Sequence, residues 1–309
     1  MTPKISIVLP TYNGARWLSL AIESIQHQSL TDWELIIVND GSTDQTEEII
    51  DKYAKIDARI QKINNPINKK IPGSLNIGFK SARGKYFTWT SDDNLYKTDA
   101  LETMASFLDS HPDIDLFSGN IDIINEEGQF VRPCYTVEGA KNRKPQDLII
   151  GCNIGGAFLY RREIAEKVGG YDEKTFCAED YDYWCRIAIA GNIHYSEKSI
   201  YEYRVHAGAL TQTQSDRQQR IAKSIQSKYI TQFVEKFKIS PKDQAILARR
   251  FHYSWKGVNP HARLIYFLIT MQEKAQKLLI NLTFFWNKKL RHKLVEKTKL
   301  MPSWHFEGS

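Results

Sequence analysis

Apolar residues in the first two thirds of the chain follow two rhythms, near-continuous short runs and runs spaced by three and four. Residues 5–9 (ISIVL) read as a buried strand that stops at Pro10. After Asn13-Gly14, apolar residues at 18, 21, 22 and 25 share one face of a helix. Residues 33–39 (WELIIVN) form a second strand, and Asp44 with Glu47 has the spacing of a capping box, so a helix starts about there. A third strand is predicted over 60–63, a helix over 74–82, and a fourth strand over 86–90 that runs into Ser91-Asp92-Asp93-Asn94. A helix over 98–110 and a strand over 115–118 follow, then a hairpin-like turn at 125–128. Residues 133–156 read as loop-rich with a short helix at 146–150, before a strand at 157–160 and a helix at 180–190. Strands alternating with helices are the signature of an α/β fold with a mostly parallel sheet.

The pattern changes after about Thr213. From there only helical spacing is found, as in Ile221, Ile225, Tyr229, Phe233 and Phe237 at steps of four, with Pro241 and Pro260 separating segments. Near the end, Phe284-Phe285-Trp286 precedes Lys288, Lys289, Arg291 and Lys293, with Leu290 and Leu294 four apart. An aromatic and basic amphipathic helix of this kind lies in a membrane interface; packing on the catalytic domain or a homo-oligomer contact explains the same pattern.

Composition is that of an ordinary globular protein: of 309 residues, 42% are hydrophobic and 25% charged. The net charge of +6 is mild and concentrated in 288–299, which suits an anionic surface or a solvated helix face; nucleic acid is not an expected partner. Four cysteines without metal-ligand spacing point to a reducing compartment. There is no secretion-like start and no run near the roughly 18 apolar residues of a membrane span. The expectation is a cytoplasmic protein, at the inner face of a membrane if the C-terminal helices bind one. In that setting the Asn281-Leu282-Thr283 sequon has no function.

Three acidic clusters stand where strands end or a helix begins, and open parallel sheets bind ligands beyond their strand ends. Asp40 follows the second strand and is placed to accept hydrogen bonds from a nucleobase, with Thr11 and Tyr12 close by; a turn leading to a helix cap is the plainer reading. Asp92-Asp93 is a like-charge pair that calls for a cation or strong donors, with one carboxylate on a ribose and the other on Mg²⁺ or Mn²⁺. A structural turn explains the same residues. Glu179-Asp180 opens a helix, where acidic side chains favour the dipole, and either of them suits a general base.

Taken with their surroundings, these clusters resemble the family 2 glycosyltransferases of the GT-A fold. The resemblance rests on IVLPTYNGARWL (7–18), VNDGSTDQT (38–46), SLNIGFKSARGKY (74–86), TSDDNLY (90–96), FLYRRE (158–163), VGGYDE (168–173), AEDYDYWCRIA (178–188) and YRVHAGALT (203–211), in that order. It spans roughly residues 3–215 and implies a GT-A-type nucleotide-binding domain over 1–213, with a C-terminal α-helical appendage over 214–309 that serves acceptor, membrane-surface or oligomer contacts. It also implies a nucleotide-sugar donor, a UDP-sugar first of all, bound by Pro10, Thr11, Tyr12, Asn13, Asp40, Asn76, Ser91 and Asp92. Asp93 would hold a Mn²⁺ or Mg²⁺ ion on the diphosphate. His206 matches a histidine that approaches the metal, although a lone histidine also serves as a structural hydrogen bonder. Asp180 would be the base, with Glu179 its neighbour in the acceptor region.

The chain departs from the family in two places. The basic residue usual before the helix of Asn76 has only Lys69 or Lys70 to fill it, and no QxxRW sequence follows Glu179-Asp180, which argues against a processive polymerase. The implied reaction is an inverting transfer to a hydroxyl of a saccharide or lipid-linked saccharide, in surface polysaccharide synthesis. Two rivals are a sugar nucleotidyltransferase, which wants a Gly-rich phosphate loop that PTYNGARW lacks, and a non-catalytic sugar-nucleotide-binding protein, which has no use for a base.

Overall fold

The computed structural model describes residues 2–134, 143–241 and 243–244. The aromatic and basic segment from Phe284 to Lys293, the Asn281 sequon and Pro260 lie outside the described residues.

Among the described residues the strands are β1 (Ile5–Thr11), β2 (Trp33–Asn39), β3 (Ile60–Asn64), β4 (Tyr86–Trp89), β5 (Leu95–Tyr96), β6 (Leu116–Ile124), β7 (Phe130–Cys134), β8 (Phe158–Arg161) and β9 (Ile193–Arg204). The α-helices among them are α1 (Leu18–Gln26), α2 (Thr46–Ile56), α3 (Lys70–Ser81), α4 (Ala100–Ser110), α5 (Arg162–Val168), α6 (Glu179–Ala190), α7 (Leu210–Thr213) and α8 (Ser215–Phe237). One sheet runs β3-β2-β1-β4-β8-β6-β9-β5, with β7 alongside β6.

Directions within the sheet decide where the chemistry falls. β1, β2, β3 and β4 are mutually parallel, β8 is antiparallel to both β4 and β6, and β9 is parallel to β6. β1, β2, β3, β4, β6 and β9 therefore all point one way, and β8, β7 and β5 point back. The C-terminal ends of β1, β2, β4 and β9 share one edge, and that edge carries Thr11, Asn39, Asp92 and His206 or their immediate neighbours.

Helices cover both faces. On one, Ile5, Ile7, Leu9, Leu35 and Ile37 meet Leu18, Ala21, Ile22 and Ile25 of α1, Ile50 of α2 and Met104 of α4, all buried. Each such fully buried aliphatic side chain contributes about 1.5–3 kcal/mol. On the other face Val8 and Val38 meet α3, where Pro72 sits in the first turn without costing a hydrogen bond. An aromatic layer continues that face: Tyr171 stacks on Tyr183 at 4.0 Å, and Phe158 meets Trp184 at 4.5 Å.

Four elements go unread in the sequence, the short β5 and α7 together with β9 and α5, and α3 starts earlier than its predicted 74. β9 shows no clean alternation because its middle, from Tyr195 to Ser199, is polar and partly exposed, and its register on β6 shifts twice near Asn120. α5 is only seven residues long, too short to show a period. The Asp44–Glu47 box also resolves differently: Asp44 takes the amide of Thr46 at 3.1 Å, and Gln45 is the cap residue.

The compact unit extends over Met1–Phe237, so α8 belongs to it. Ile225, Tyr229 and Phe233 of the step-of-four stripe are buried, as is Gln226, whose amide donates to the Ile150 carbonyl at 2.9 Å. Among the described residues no helix is long and apolar enough to cross a membrane.

Close packing of α3 on the sheet rests on Gly78. A Cβ there would stand 2.4 Å from Val8 Cγ1 and 3.2 Å from Val38 Cγ2. Gly78→Ala is expected to cost about 1–3 kcal/mol by overpacking, read in urea unfolding as a lower midpoint with an unchanged slope.

Candidate functional site

At the end of β1 and β2 the backbone itself brings the first residues together. The Asp40 amide donates to the Thr11 carbonyl at 2.8 Å, continuing the ladder one residue past the strands. Asp40 is buried, and its Oδ1 accepts the Asn65 amide and the Lys69 backbone N–H, both at 2.8 Å. Its Oδ2 has no protein donor among the described residues. Tyr12, by contrast, is 52% exposed, so its ring is open for stacking beside that carboxylate.

Asn13 holds a left-handed turn, φ 53°, and ties this loop to the next: its amide donates to Ser42 Oγ at 2.9 Å and its Oδ1 accepts the Thr43 N–H at 2.8 Å. Pro10 is buried in β1 opposite Val38, beyond the stretch where β4 pairs, so its missing N–H breaks no bond. Asn76 lies on α3, and both ends of its amide are engaged by the backbone of Tyr171, at 2.9 and 2.7 Å. That pairing holds the 169–171 loop. Lys69 contributes its backbone N–H to Asp40, and Lys70, at φ 64°, opens α3.

Past β4 the chain turns through Ser91-Asp92-Asp93-Asn94. Thr11 Oγ1 donates to Asp92 Oδ2 at 2.5 Å, joining the β1 end to the acidic turn. Burial pushes the Asp92 carboxyl up to about 7, and the Asp93 charge adds to that rise while the Thr11 bond opposes it. Ser91 Oγ donates to Asp93 Oδ1 at 2.5 Å, and Asn94 bonds Ser91 in turn.

The other carboxylate oxygen of Asp93 meets His206 Nε2 at 3.0 Å. Trp17 lies against that imidazole, with ring centroids 4.5 Å apart, and donates its indole N–H to the Glu126 carbonyl at 3.3 Å. Arg204 sits between these pieces. Its Nε donates to the Asp93 carbonyl at 2.9 Å, its Nη1 to the carbonyls of Asn125 and Glu126 at 3.0 and 2.9 Å, and its backbone N–H to Asn94 Oδ1 at 2.7 Å.

Asp93 and His206 fit a hard divalent cation. One carboxylate and one imidazole side by side leave the remaining positions to a ligand's own oxygens, which is how such ions are held on diphosphates. Among the described residues no three His, Cys, Asp or Glu side chains form a complete protein cage, so such an ion would depend on that ligand.

The third cluster opens α6. Glu179 is buried and its Oε2 accepts the Cys177 N–H at 2.8 Å, across a left-handed residue at φ 84°. Asp180 is half-buried and accepts the Tyr181 N–H at 2.7 Å. Burial raises both carboxyls, and Glu179 rises further because Asp180 is next to it. The pair therefore carries close to one negative charge near neutral pH. Tyr203, on β9 one residue before Arg204, feels the charge of both Asp93 and Asp180.

Two supporting residues escape the sequence reading. Arg204 is visible only as the arginine two positions before His206. Asp182 is fully buried and accepts from Arg186 at 2.9 Å, Lys228 at 3.0 Å and Tyr229 at 2.8 Å, fastening α6 to α8. An i,i+4 acid and arginine on a helix would suggest the first bond, but nothing local suggests the other two.

Residues 6–169 match the family described as Glycosyl transferase family 2. An uncharacterised glycosyltransferase of Rickettsia typhi is 30% identical over 222 residues, covering 69% of this chain and 67% of that protein. One of Haemophilus influenzae is 26% identical, covering 78% of this chain and 77% of its own length. Among solved structures, residues 1–349 of TarS from S. aureus in complex with UDP-GlcNAc superpose with a TM-score of 0.61 at 17% identity, over 85% of this chain and 83% of that one. The mannosyltransferase PcManGT from Pyrobaculum calidifontis, in complex with GDP-Man and Mn²⁺, gives 0.56 at 16% identity over 96% and 84%. The mixed α/β sheet with helices on both faces agrees with this likeness, and the chain belongs to glycosyltransferase family 2, with a GT-A-like α/β fold.

Proposed function

We propose that this glycosyltransferase moves a sugar from a UDP-sugar to a hydroxyl of a saccharide or lipid-linked saccharide acceptor, with inversion and with the help of Mn²⁺ or Mg²⁺. One observation carries the reading: His206 is bonded to Asp93 of the Asp92-Asp93 turn, and the charges of both Asp93 and Asp180 bear on Tyr203 of β9. A metal and diphosphate site next to a base is what glycosyl transfer requires. The TarS complex with UDP-GlcNAc supports a uridine donor, and the PcManGT complex with Mn²⁺ supports the ion. Synthesis of a surface polysaccharide is the setting we infer for the acceptor.

Roles follow from the geometry. Asp40 Oδ2 accepts from the uracil edge while Tyr12 stacks on its face, and Asp92, held by Thr11, binds the ribose. Asp93 and His206 would hold the cation, which would supply positive charge toward the leaving diphosphate. Ser91 orients Asp93, and Asn13, Asn76 and Pro10 shape the loops around the donor instead of touching it. Asp180 takes the proton of the acceptor hydroxyl as that oxygen attacks C1 from the side away from the nucleotide. Burial and then the Asp180 charge raise the Glu179 carboxyl, which disfavours a second charge beside the base. A pure binding module would gain nothing from a buried, elevated carboxylate at this position.

The first expected outcome concerns the donor and metal. UDP with Mn²⁺ at 100 times its dissociation constant raises stability by about 2.7 kcal/mol, read as a shift in melting temperature. Asp93→Ala abolishes the metal-dependent part; an unchanged shift would place the ion elsewhere.

Gly14 tests the ribose pocket. A Cβ on it would stand 2.0 Å from Asp92 Oδ2 and 2.5 Å from Thr11 Oγ1, so Gly14→Ala must push Asp92 off its partner. Loss of a charged hydrogen bond predicts about tenfold weaker UDP binding or more, measured by calorimetry on protein whose circular dichroism is unaltered.

Asp180→Asn keeps the shape and removes the base, so turnover should fall by about 10²- to 10⁴-fold while UDP affinity stays the same. In the parent enzyme the base works only when ionised. Because burial pushes the Asp180 carboxyl up to about 6, kcat should climb with pH through a midpoint well above the ordinary carboxylate range. A flat profile between pH 5 and pH 8 would contradict Asp180 as the base.

A further inference from the structure

Whatever sugar is transferred must lie between the group that holds the leaving diphosphate and the group that takes the acceptor's proton. Tyr203 stands on β9 one residue before Arg204, which bonds the acidic turn at Asp93. Alternation along β9 sends Tyr201 and Tyr203 to one face and Arg204 to the other. Tyr201 is buried, and its hydroxyl meets Thr90 Oγ1 at 2.6 Å. Tyr203, two residues nearer the site edge, is only half-buried; its ring packs at the border of the core with Cys134. Its neighbour Arg204 grips the Asp93 carbonyl, so the backbone at Tyr203 is fixed relative to the acidic turn.

The hydroxyl of Tyr203 has one protein partner among the described residues, Thr211 Oγ1 at 3.2 Å, in the first turn of α7. A phenol offers one donor and accepts as well, so this bond leaves hydrogen-bonding capacity unused. Burial raises the phenol above its ordinary value, and the charges of Asp93 and Asp180 add to that. It is therefore a neutral donor throughout the working pH range, and a neutral donor is suited to a neutral sugar hydroxyl or amide carbonyl.

We propose that the Tyr203 hydroxyl, oriented by Thr211, hydrogen-bonds the transferred sugar and contributes to the choice of which sugar is accepted. This rests on the donor reading above and extends it from the nucleotide to the sugar. Such a contact discriminates strongly, because a sugar lacking the matching group leaves the phenol and threonine without their partner. Tyr203 touches neither uracil nor ribose in this arrangement, so its contribution is absent when UDP alone is bound.

That difference supplies the test. Calorimetry on the full chain with Mn²⁺ would compare UDP with the tightest binder among UDP-GlcNAc, UDP-glucose and UDP-galactose, for the parent, Tyr203→Phe and Thr211→Val. Tyr203→Phe should keep UDP affinity within about twofold and weaken the UDP-sugar by about five- to tenfold. Thr211→Val, at an exposed position that does not threaten folding, should shift the same ratio in the same direction by less. A ratio of UDP-sugar to UDP affinity that stays constant in both variants, or a parallel loss of both ligands, would overturn the assignment of Tyr203. Parent protein that binds no UDP would instead remove the donor reading itself, and the Tyr203 proposal with it.

Discussion

Arg204 is 1% exposed and has no carboxylate within ion-pair distance among the described residues, which is an expensive way to keep a charge. Three backbone carbonyls and the face of Trp17, 5.5 Å away, stand in for the missing anion, and burial depresses the guanidinium's affinity for its proton. The nearest help comes through space from Asp93. Everything at the metal end of the site follows from this arrangement. The guanidinium joins the end of β9, the acidic turn after β4 and the turn after β6, three segments with no sequence proximity. His206 reaches Asp93 because Arg204 has already pinned the chain two residues earlier.

The acceptor end is built on an opposite solution. Asp182 is a fully buried anion with two cations and a hydroxyl on it, so its charge is satisfied directly. Removing any of those partners would strand the carboxylate, a far larger loss than the pair's net contribution. The bonds from Lys228 and Tyr229 make α8 part of the wall behind Asp180. Gln226 extends the same helix to the Ile150 carbonyl, and Tyr181 on α6 reaches the Leu148 carbonyl at 2.5 Å. The loop over 143–154 is thus held from two helices at once. α6, this loop and α8 are therefore tied to one another by side-chain hydrogen bonds.

Much of this was legible in the residues, and the exceptions have physical causes. Near-continuous apolar runs announced β1 and β2 because both faces of those strands are buried, and the carboxylates after β2 and β4 marked the edge where those strands end. β9 stayed hidden because its polar middle breaks alternation exactly where its register slips, yet it delivers Tyr203, Arg204 and His206 to the site. Asn76 and Asn13 sit inside sequences typical of donor binding, but whether an amide faces a ligand or a backbone is a matter of tertiary geometry. Asn76 turns to Tyr171, and only the structure shows it. Arg204 could not be weighed in advance for the same reason: its partners are carbonyls, and carbonyls leave no trace in sequence.

The two ends also differ in what they leave unresolved electrically, and that difference suggests an order of events. Burial, with the Asp93 charge added, holds the Asp92 carboxyl up near 7, so a cation placed beside that pair would ease its ionisation. Burial likewise raises the Glu179 and Asp180 carboxyls, and the Asp180 charge adds to the rise at Glu179. A donor and ion that enter first would also shield Asp93, lowering the negative field at Tyr203 and Asp180 before an acceptor hydroxyl arrives. Donor before acceptor is the sequence that these charges favour, since the opposite order would set the acceptor beside an uncompensated pair of carboxylates.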